Sequence, residues 1–385
     1  MSFWKDIEKP IIGLSPMDGI TDASYRFIAA KHGRPDVMLT EFVSVDAAAF
    51  APDSFLRDLS YSEIERPVVA QVYGHTPEAF YKVAHIVCEL GFDGLDINMG
   101  CPAKNVAARG SGAALILTPL LARSIIRAAR QGIRDWVDGQ KLSGIGLDAE
   151  FIAAIKDANR VRSGAMERVP RRTIPISVKT RIGYDEIVVE DWVRNLLQET
   201  PAAISIHGRT LKQQYSGSAD WEAIARAVEA ARGSETLILG NGDLRGMDDV
   251  YRRVRESRVD GVLLGRVAQG NPWIFAARGQ VKEALRGDNA ACIRDIPIAI
   301  EERFKVALEH CAHFAARRER SAFVSMRKHL SWYCKFSRGI AGLRGELVHV
   351  NDVNDVVDCF RKYAGTLATS FPIDAWREQA IDLAV

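Results

Sequence analysis

The sequence predicts an α/β fold in which a (β/α)8 TIM barrel is followed by an all-helical domain. Short apolar runs of strand length recur up to about Arg266, and longer amphipathic stretches separate most of them. Strands that alternate with helices are typical of βαβ units around a parallel sheet, and eight such units match a barrel. From about residue 296 to residue 385 only helical patterns follow. A doubly wound open sheet is the alternative to the barrel.

The elements follow in order along the chain. Eight runs are expected as strands: Ile11–Leu14, Val37–Phe42, Val68–Val72, Gly94–Ile97, Ile174–Val178, Ala203–Ile206, Thr236–Leu239 and Gly261–Leu264. Helices expected between them include Pro77–Leu90, Pro119–Arg130, Val188–Gln198 and Trp221–Ala231. We therefore place a catalytic barrel at residues 1–280 and a helical domain at residues 290–385.

Polar residues at the ends of four strands favour the barrel over the open sheet. Side chains alternate across a strand, so Asp96 and Asn98 face away from Leu95 and Ile97. Inward-pointing residues at the C-terminal ends of barrel strands form the active sites of such enzymes. For any one strand, an isolated polar terminus is the plainer explanation. The other inward-facing polar residues are Gln71, Ser177, Lys179, Arg181, Ser205 and His207.

An unusually long connection separates the fourth and fifth strands. One barrel helix needs far fewer residues than Thr118 to Thr173, so residues 136–172 are expected to be an insertion with a helix near Asp148–Ala158. Long insertions of this kind are usually functional. Its basic residues are Lys156, Arg160, Arg162, Arg168, Arg171 and Arg172.

Composition excludes several classes of protein. With 47% hydrophobic and 26% charged residues the chain is neither disordered nor fibrous, and its net charge of +2 names no acidic partner. No apolar run approaches the roughly 20 residues that span a bilayer, and no signal peptide is visible. Six scattered cysteines without a C-x-x-C pair predict neither a disulfide framework nor a metal site. We expect a monomeric cytoplasmic protein with no membrane partner.

The sharpest motif is Asp96-Ile97-Asn98-Met99-Gly100-Cys101-Pro102. A strand ends there and a Gly-Cys-Pro turn follows, which predicts that Cys101 lies on an exposed loop at the barrel rim. A thiol in that place can act as a nucleophile or as an acid–base group. The alternative is a buried, inert cysteine, which we expect of the other five.

Two glycine-containing strand ends predict a phosphate site. The seventh run is followed by Gly240-Asn241-Gly242-Asp243 and the eighth by Gly265-Arg266. Glycine allows backbone N–H groups to approach a ligand closely, and the loops after strands seven and eight commonly hold phosphate in this fold. Arg266 can add a charge-assisted hydrogen bond.

Lys179 and Arg181 share one side of a strand that otherwise looks buried. Buried cations need partners. A negatively charged cofactor is one such partner, and a structural carboxylate such as Asp96 or Glu41 is the other. His207, in His-Gly-Arg-Thr, is either near the ligand or a hydrogen-bonded core histidine.

The helical tail contains a basic stretch, Arg317–Arg344, with Glu319 as its single acid. Five aromatic residues are interleaved with its cations: Phe323, His329, Trp332, Tyr333 and Phe336. The stretch predicts either a basic binding face or a solvated charged helix surface. Its cations are Arg317, Arg318, Arg320, Arg327, Lys328, Lys335, Arg338 and Arg344.

The order of the motifs resembles that of the tRNA-dihydrouridine synthases from residue 11 to about 275. The first motifs are Ser15-Pro16-Met17-Asp18-Gly19-Ile20-Thr21-Asp22, Thr40-Glu41-Phe42-Val43-Ser44, Gln71-Val72-Tyr73-Gly74 and the Cys101 motif. Then come Val178-Lys179-Thr180-Arg181-Ile182-Gly183, His207-Gly208-Arg209-Thr210, Tyr215-Ser216-Gly217, Asp220-Trp221, Asn241-Gly242-Asp243, Gly265-Arg266 and Gly270-Asn271-Pro272-Trp273. In the tail, Arg327-Lys328-His329 and Trp332-Tyr333 are similar to that family's C-terminal domain.

The resemblance implies an FMN-dependent barrel enzyme that reduces particular tRNA uridines to 5,6-dihydrouridine, with NADPH or NADH reloading the flavin. A D-loop uridine would be flipped into the barrel mouth and would take hydride at C6 and a proton from Cys101 at C5. Flavin contacts would come from Pro16, Met17, Asp18, Gln71, Lys179, His207, Asn241, Gly242, Asp243, Gly265 and Arg266. Contacts to tRNA would come from Asn98, Arg181, Arg209, Arg327, Lys328 and Lys335.

Two departures from the family pattern stand out. Position 18 is Asp where many members have a small residue or Glu, which predicts a changed hydrogen bond near the flavin edge. Typical members lack a counterpart of the insertion at residues 136–172, and we expect its arginines to contact tRNA or to set its orientation.

Two other functions compete with this one. One is an FMN barrel for a free pyrimidine, like dihydroorotate dehydrogenase, but a small substrate needs no basic helical tail. The other is an RNA-binding or chaperone-like protein with a relic flavin site, against which the intact Cys101, Lys179 and phosphate loops argue.

Overall fold

A closed parallel barrel forms the core of the computed structural model, which describes residues 2–164, 169–294, 296–336, 340–366 and 371–382. The strand order is β2-β1-β9-β8-β7-β6-β5-β4-β3, and β2 also pairs with β4, which closes the barrel. The predicted barrel is therefore confirmed and the open sheet is excluded. The strands are β1 Ile11–Leu14, β2 Met38–Leu39, β3 Val43–Ser44, β4 Val68–Tyr73, β5 Gly94–Met99, β6 Ile176–Arg181, β7 Ala203–His207, β8 Leu237–Asn241 and β9 Gly261–Leu264.

Helices connect the strands and make up the C-terminal part of the chain. The barrel helices are α1 Ala23–His32, α2 Ala47–Phe50, α3 Pro52–Asp58, α4 Pro77–Glu89, α5 Lys104–Ala107, α6 Pro119–Val137, α7 Ala149–Ser163, α8 Val189–Leu197, α9 Trp221–Ala230, α10 Met247–Ser257 and α11 Arg278–Gly287. The later helices are α12 Ile300–Ala315, α13 Met326–Tyr333, α14 Ala341–Leu347, α15 Val353–Thr366 and α16 Ile373–Asp382. Among the described residues after Leu264 there is no strand.

The predicted second strand, Val37–Phe42, is shorter in the structure, where β2 covers only Met38–Leu39 and a separate strand, β3, follows the predicted run at Val43–Ser44. Between them, the Gln71 N–H of β4 donates to the hydroxyl of Thr40 at 2.9 Å. This side-chain bond replaces a backbone ladder bond, so the strand is interrupted there. The predicted strands also ended too early at the polar residues, which continue the ladder as far as Arg181 and Asn241.

The barrel interior is apolar at its N-terminal end and polar at its C-terminal end. Buried side chains of several strands meet there, among them Ile11, Leu39, Val69 and Leu263, and Trp4 from the N-terminal turn packs against them. Residues at every second position face inward along each strand. The polar residues predicted to face inward therefore lie above this apolar floor, towards the mouth.

The C-terminal helices pack against the barrel on the side of β1 and β9. Ile28 of α1 and Trp273 share a buried cluster with Phe304 and Leu330 of the helical domain. Polar contacts reinforce this packing, such as the 3.0 Å bond between His313 Nδ1 and Ser24 Oγ. Glu309 of α12 also accepts from Lys31 and His32 of α1. The helical domain therefore borders the mouth of the barrel.

The insertion lies at the end of the barrel opposite the mouth. Arg162 donates to Glu63 at 2.9 Å and to the carbonyl of Leu90 at 2.6 Å, and Arg172 pairs with Asp93 at 2.7 Å. Glu63 and Asp93 precede the N-terminal ends of β4 and β5. Local carboxylates and carbonyls therefore bind Arg162 and Arg172. The expected contact of the insertion's arginines with tRNA, or their role in its orientation, stays a prediction.

Two further expectations concern the arginines of the two basic segments and the absence of a membrane-spanning helix. Arg168 and Arg338 lie outside the described residues. Within the described part, no single helix is both long and apolar enough to cross a membrane, although one bent pair, Lys104–Leu117 with Pro119–Val137 at 96°, meets both criteria together.

Candidate active site

A cavity of about 730 Å³ opens at the C-terminal ends of the strands. This volume is typical of sites for small molecules and cofactors. Most of the predicted site residues line it together: Pro16, Met17, Asp18, Asn98, Cys101, Lys179, Arg181, His207, Asn241, Gly242, Asp243, Gly265 and Arg266. The C-terminal ends of β5, β6, β7 and β8 and the loops that follow β1, β5, β8 and β9 thus bring these residues together.

A hydrogen-bonded network supports the cavity from below. Gln71 donates to Asp96 at 2.7 Å and accepts from Asn98 at 3.0 Å, and Ser177 donates to the other oxygen of Asp96 at 2.6 Å. Burial raises the pKa of Asp96 to about 6, although these hydrogen bonds and Lys179 oppose the shift. Gln71, predicted as a flavin contact, therefore lies beneath Asn98 and is not part of the cavity wall.

Asn98 shapes the turn that presents Cys101. Its side-chain oxygen accepts from the backbone N–H groups of Gly100 at 3.0 Å and Cys101 at 2.8 Å. The sulfur is less exposed than the motif predicts, since Cys101 is only 6% exposed, yet it faces the cavity.

The environment of Cys101 keeps its sulfur protonated. Burial raises the pKa of the Cys101 thiol above its ordinary value, and Asp18 raises it further. The N–H of Ala103 and the cations Arg181 and Lys179 act in the opposite direction without reversing the shift. A thiol that stays protonated at neutral pH is suited to donate a proton, whereas a nucleophile needs the thiolate.

The two cations of β6, buried Arg181 and half-buried Lys179, have different roles. Lys179 donates to Asn241 at 3.3 Å, and burial together with Arg181 lowers its pKa to about 8. Arg181 instead donates to three backbone carbonyls, those of Gly100 at 2.7 Å, Thr210 at 3.1 Å and Gln214 at 3.3 Å. Arg181 therefore fixes two loops of the mouth. Lys179 donates to a single oxygen and has more donors left for a ligand than Arg181.

His207 is a neutral group in the cavity wall. Burial lowers its pKa to about 2, and the cations Lys179, Arg181 and Arg209 add to the shift. Its Nδ1 atom is buried and has no hydrogen-bond partner among the described residues. Such a buried polar atom is costly unless a ligand or water completes its hydrogen bonding.

The predicted phosphate loops meet at Asp243. Its carboxylate accepts from Arg209 at 2.6 Å, from the N–H of Ala219 at 2.8 Å and from Arg266 at 2.7 Å. Burial opposes ionisation of Asp243, but these donors outweigh it and hold the pKa below its ordinary value. Gly242 has φ of +126°, a conformation that favours glycine.

Arg209 was predicted to contact the substrate, but it does not line the cavity. It is 2% exposed, and besides Asp243 it donates to the carbonyls of Ser216 at 3.2 Å and Gly217 at 2.6 Å. These bonds hold the loop after β7. The position of Arg209 just after β7 did not predict this structural role, because its partners lie well beyond the His-Gly-Arg-Thr motif in the sequence.

Several cavity residues were not predicted as site residues. Tyr215 lines the mouth and is 67% exposed, and its Tyr-Ser-Gly motif was the one available signal. Lys104 begins α5 three residues after Cys101, and Gln269 follows the Gly-Arg loop. Neither has a distinguishing pattern in the sequence.

The three predicted cations of the helical domain are also in different situations. Arg327 donates to the carbonyl of Val350 at 2.9 Å and to Asn351 at 2.8 Å, so it holds a turn of its own domain. Lys328 donates to the carbonyl of Gly19 in the loop after β1. Lys335 is exposed and lies 5.4 Å from the ring centre of Trp332.

Comparison with known proteins identifies relatives along most of the chain. The model of the dihydrouridine synthase (Dus) family matches residues 13–161 and 153–367. "Probable tRNA-dihydrouridine synthase 2" of Bacillus subtilis (strain 168) is 33% identical over 279 residues, 71% of this chain and 74% of the relative. "Probable tRNA-dihydrouridine synthase" of Staphylococcus aureus (strain COL) is 29% identical over 358 residues, 91% of this chain and 92% of the relative.

Solved structures show only distant likeness. Ligand-free type DHODH from Eimeria tenella is 14% identical, with 71% of this chain and 83% of that chain covered and a TM-score of 0.45. Morphinone reductase is 10% identical, with 73% and 86% covered and a TM-score of 0.40.

Proposed function

Because the chain belongs to the dihydrouridine synthase family, we propose that it reduces specific uridines of tRNA to 5,6-dihydrouridine in this cavity. The cofactor is flavin mononucleotide, and NADPH or NADH reduces it again. The observation that carries the proposal is the presence, in one cavity, of a protonated thiol, a half-buried cation and two glycine-containing loops.

The residues present fit a flavin mononucleotide. The cavity is large enough, and His207 Nδ1 is buried without a partner among the described residues. Lys179 supplies the fixed positive charge that suits a reduced flavin. The loops at Gly242 and Gly265 with Arg266 would hold its phosphate.

When bound, the flavin supplies hydride to C6 of the uracil. Asn98 orients the base, and Cys101 donates its thiol proton to C5. Cys101 follows β5, which lies on the opposite side of the barrel from β9 and Gly265. The proton donor and the phosphate loops therefore approach the cavity from opposite walls, which leaves room between them for stacked rings.

A uridine must leave folded RNA to enter this cavity. We propose that the D-loop uridine is flipped into the mouth while the helical domain grips the phosphate backbone. The gripping surface is the basic strip, which we define as Lys328, Trp332, Lys335 and Arg344. Arg344 donates to Ser331 at 3.5 Å, and it lies near enough to Lys335 to help burial lower the pKa of that lysine. Crowded like charges of this kind favour an anionic partner.

The experiment that tests the activity uses purified protein with FMN, NADPH and unmodified tRNA, and measures dihydrouridine by mass spectrometry. Cys101→Ala is expected to keep flavin absorbance but to slow turnover by about 10²-fold or more, the usual contribution of a general acid. Cys88→Ala is the matched control, since Cys88 is a buried thiol on α4 outside the cavity. A Cys101→Ala enzyme with the wild-type rate would show that the proton comes from elsewhere.

The basic strip has a separate test. Neutralising Lys335 and Arg344 together is expected to weaken tRNA binding and to reduce the slope of log K against log salt by about 1 for each lost phosphate contact. Arg327→Gln is the control, because its guanidinium binds the 349–351 turn. Unchanged affinity and slope in the double variant would place the RNA on another surface.

A further inference from the structure

The β1 loop, residues 15–22, forms one wall of the cavity. Ser15, Pro16, Met17, Asp18 and Ile20 all line the cavity. Inside the loop, the N–H groups of residues 20 and 21 donate to the carbonyl of residue 17 at 3.0 Å each, and the N–H of residue 17 donates to the hydroxyl of Thr21 at 2.9 Å. All of these bonds involve residue 17, so the carbonyl of Gly19 at the tip of the loop depends on a donor from outside the loop.

Two side chains from outside the loop hold its tip. Glu41 accepts from the N–H of Ile20 at 2.9 Å. Lys328, from α13 of the helical domain, donates to the carbonyl of Gly19. Gly19 itself has φ of +67°, a conformation that favours glycine. Within the described part of the chain, no carboxylate lies within ion-pair distance of Lys328, so its main polar contact is the hydrogen bond to the Gly19 carbonyl.

The helix that carries Lys328 is itself fixed against the barrel. At Gly270 a Cβ would collide with the backbone of Trp332, so only glycine allows α13 to lie this close. His329 packs at 5.6 Å from Tyr25 of α1, measured between ring centres. Arg327 binds the turn at residues 349–351. The close approach at Gly270 and the packing of His329 on Tyr25 thus dock α13 against the barrel, and Lys328 on the same helix reaches the cavity wall.

We propose that Lys328 is a positioning residue that holds the β1 loop in the shape the cavity needs, so that the helical domain controls one wall of the cofactor site. The identity of the ligand in that site rests on the proposed function, but the contact does not. An ammonium group has three donors, of which the Gly19 carbonyl takes one. A phosphate bound at the basic strip therefore meets the same ammonium group, and RNA binding and the β1 loop are coupled through it.

The test compares Lys328→Met, which keeps the aliphatic stem, with Lys335→Met as the matched control. Lys335 belongs to the same basic strip and is exposed, and its ammonium lies 5.4 Å from the ring centre of Trp332. Hydrogen exchange of the peptide covering residues 15–22 is measured in the full-length protein without added ligand. The FMN dissociation constant and the kcat and KM for tRNA are measured separately.

In Lys328→Met, exchange at residues 20 and 21 is expected to be about fivefold faster, the size expected for one lost, partly solvated hydrogen bond to a charged donor. The FMN dissociation constant is expected to rise by a similar factor and kcat to fall, whereas Lys335→Met changes only the KM for tRNA. Lys328→Arg, which keeps a donor, is expected to restore slow exchange.

Unchanged exchange in Lys328→Met, or equally fast exchange in Lys335→Met, would overturn the proposal. Lys328→Gln provides a second variant if the methionine protein is less stable. If the wild-type protein binds no FMN, the proposed function fails, while the exchange comparison still decides the role of Lys328.

Discussion

Replacing His310 by leucine should make the protein's stability less sensitive to acid. His310 is fully buried between α1 and the helical domain, with its ring centre 6.0 Å from that of Tyr25 and 4.9 Å from that of His329. Its Nδ1 is 3.3 Å from the hydroxyl of Tyr333, and its Nε2 has no partner among the described residues. Burial lowers its pKa to about 4, although Asp22 and Glu309 act in the opposite direction. Leucine removes the titrating ring, and the cost of leaving the buried Tyr333 hydroxyl without this partner is the same at both pH values, so it does not affect the comparison.

The magnitude follows from the difference in proton binding between the folded and unfolded chains. Above pH 6.5 the imidazole is neutral in both states, so it has no effect. As the pH falls below 6.5 only the unfolded chain takes up the proton, and unfolding becomes easier. At pH 5, about 1.5 pH units lower, the loss is about 2 kcal/mol. Since the folded pKa lies below 5, this figure depends little on its value.

Other groups titrate in the same range, so the comparison must be a difference between two proteins. Burial lowers the pKa of His313 to about 3 and that of His329 as well, which adds acid sensitivity. Burial also raises the pKa of Glu41 to about 7 and that of Asp96 to about 6, and these carboxyls act with the opposite sign because the folded state takes up their protons first. All four remain in the variant and cancel in the comparison, apart from the coupling of His310 to His313 and His329, which is small at pH 5 because His310 is still neutral in the folded state.

The assay is urea unfolding followed by tryptophan fluorescence at pH 7.5 and pH 5.0. The stability lost between the two pH values is expected to be about 2 kcal/mol smaller in His310→Leu than in wild type. His349→Leu is the control, because its ring is exposed on the same domain. Equal losses in wild type and His310→Leu would refute the reasoning.

Three further substitutions test individual contacts. Lys179→Met should weaken FMN binding about tenfold or more at pH 7, as measured by fluorescence titration. The wild-type protein should bind FMN more weakly above pH 8, where Lys179 loses its proton, whereas the affinity of the variant should not change in that range. Arg209→Lys should lower the free energy of unfolding by about 1–3 kcal/mol in urea, because lysine cannot reproduce the fork that binds Asp243 and two carbonyls. Arg162→Gln should lower stability by about 1 kcal/mol while filter binding shows unchanged tRNA affinity, since Glu63 and Leu90 bind its guanidinium far from the mouth.

Periodicity made the barrel and much of the site predictable from the sequence. Apolar runs marked the strands, and the alternation of side chains placed Asp96, Asn98, Lys179 and His207 on the inner face without knowledge of the fold's details. The break between β2 and β3 was not predictable in the same way. It depends on one hydrogen bond from Gln71 to Thr40, two residues that are 31 positions apart.

The roles of the arginines were the least predictable feature, because a sequence shows a charge but not its partner. The insertion looked like an RNA-binding segment by composition, yet Arg162 and Arg172 are bound by Glu63 and Asp93, which precede it by many residues. The basic stretch of the tail misled in the same way at Arg327. Counting cations therefore overestimates the charge that is available to a ligand.

The hydrogen-bond partners of the cations divide them into two groups, those that fix loops and those that remain available to a ligand. Arg181, Arg209 and Arg327 direct several donors to backbone carbonyls, which suits the rigid fork of a guanidinium, and so they fix loops. Lys179 and Lys328 each donate to one oxygen and keep further donors for a ligand. Arg181→Lys should therefore loosen the loops at the mouth of the cavity without increasing the affinity for an anion. The lysines then carry the charge that the cofactor and the RNA meet, and the arginines determine where the loops around them stand.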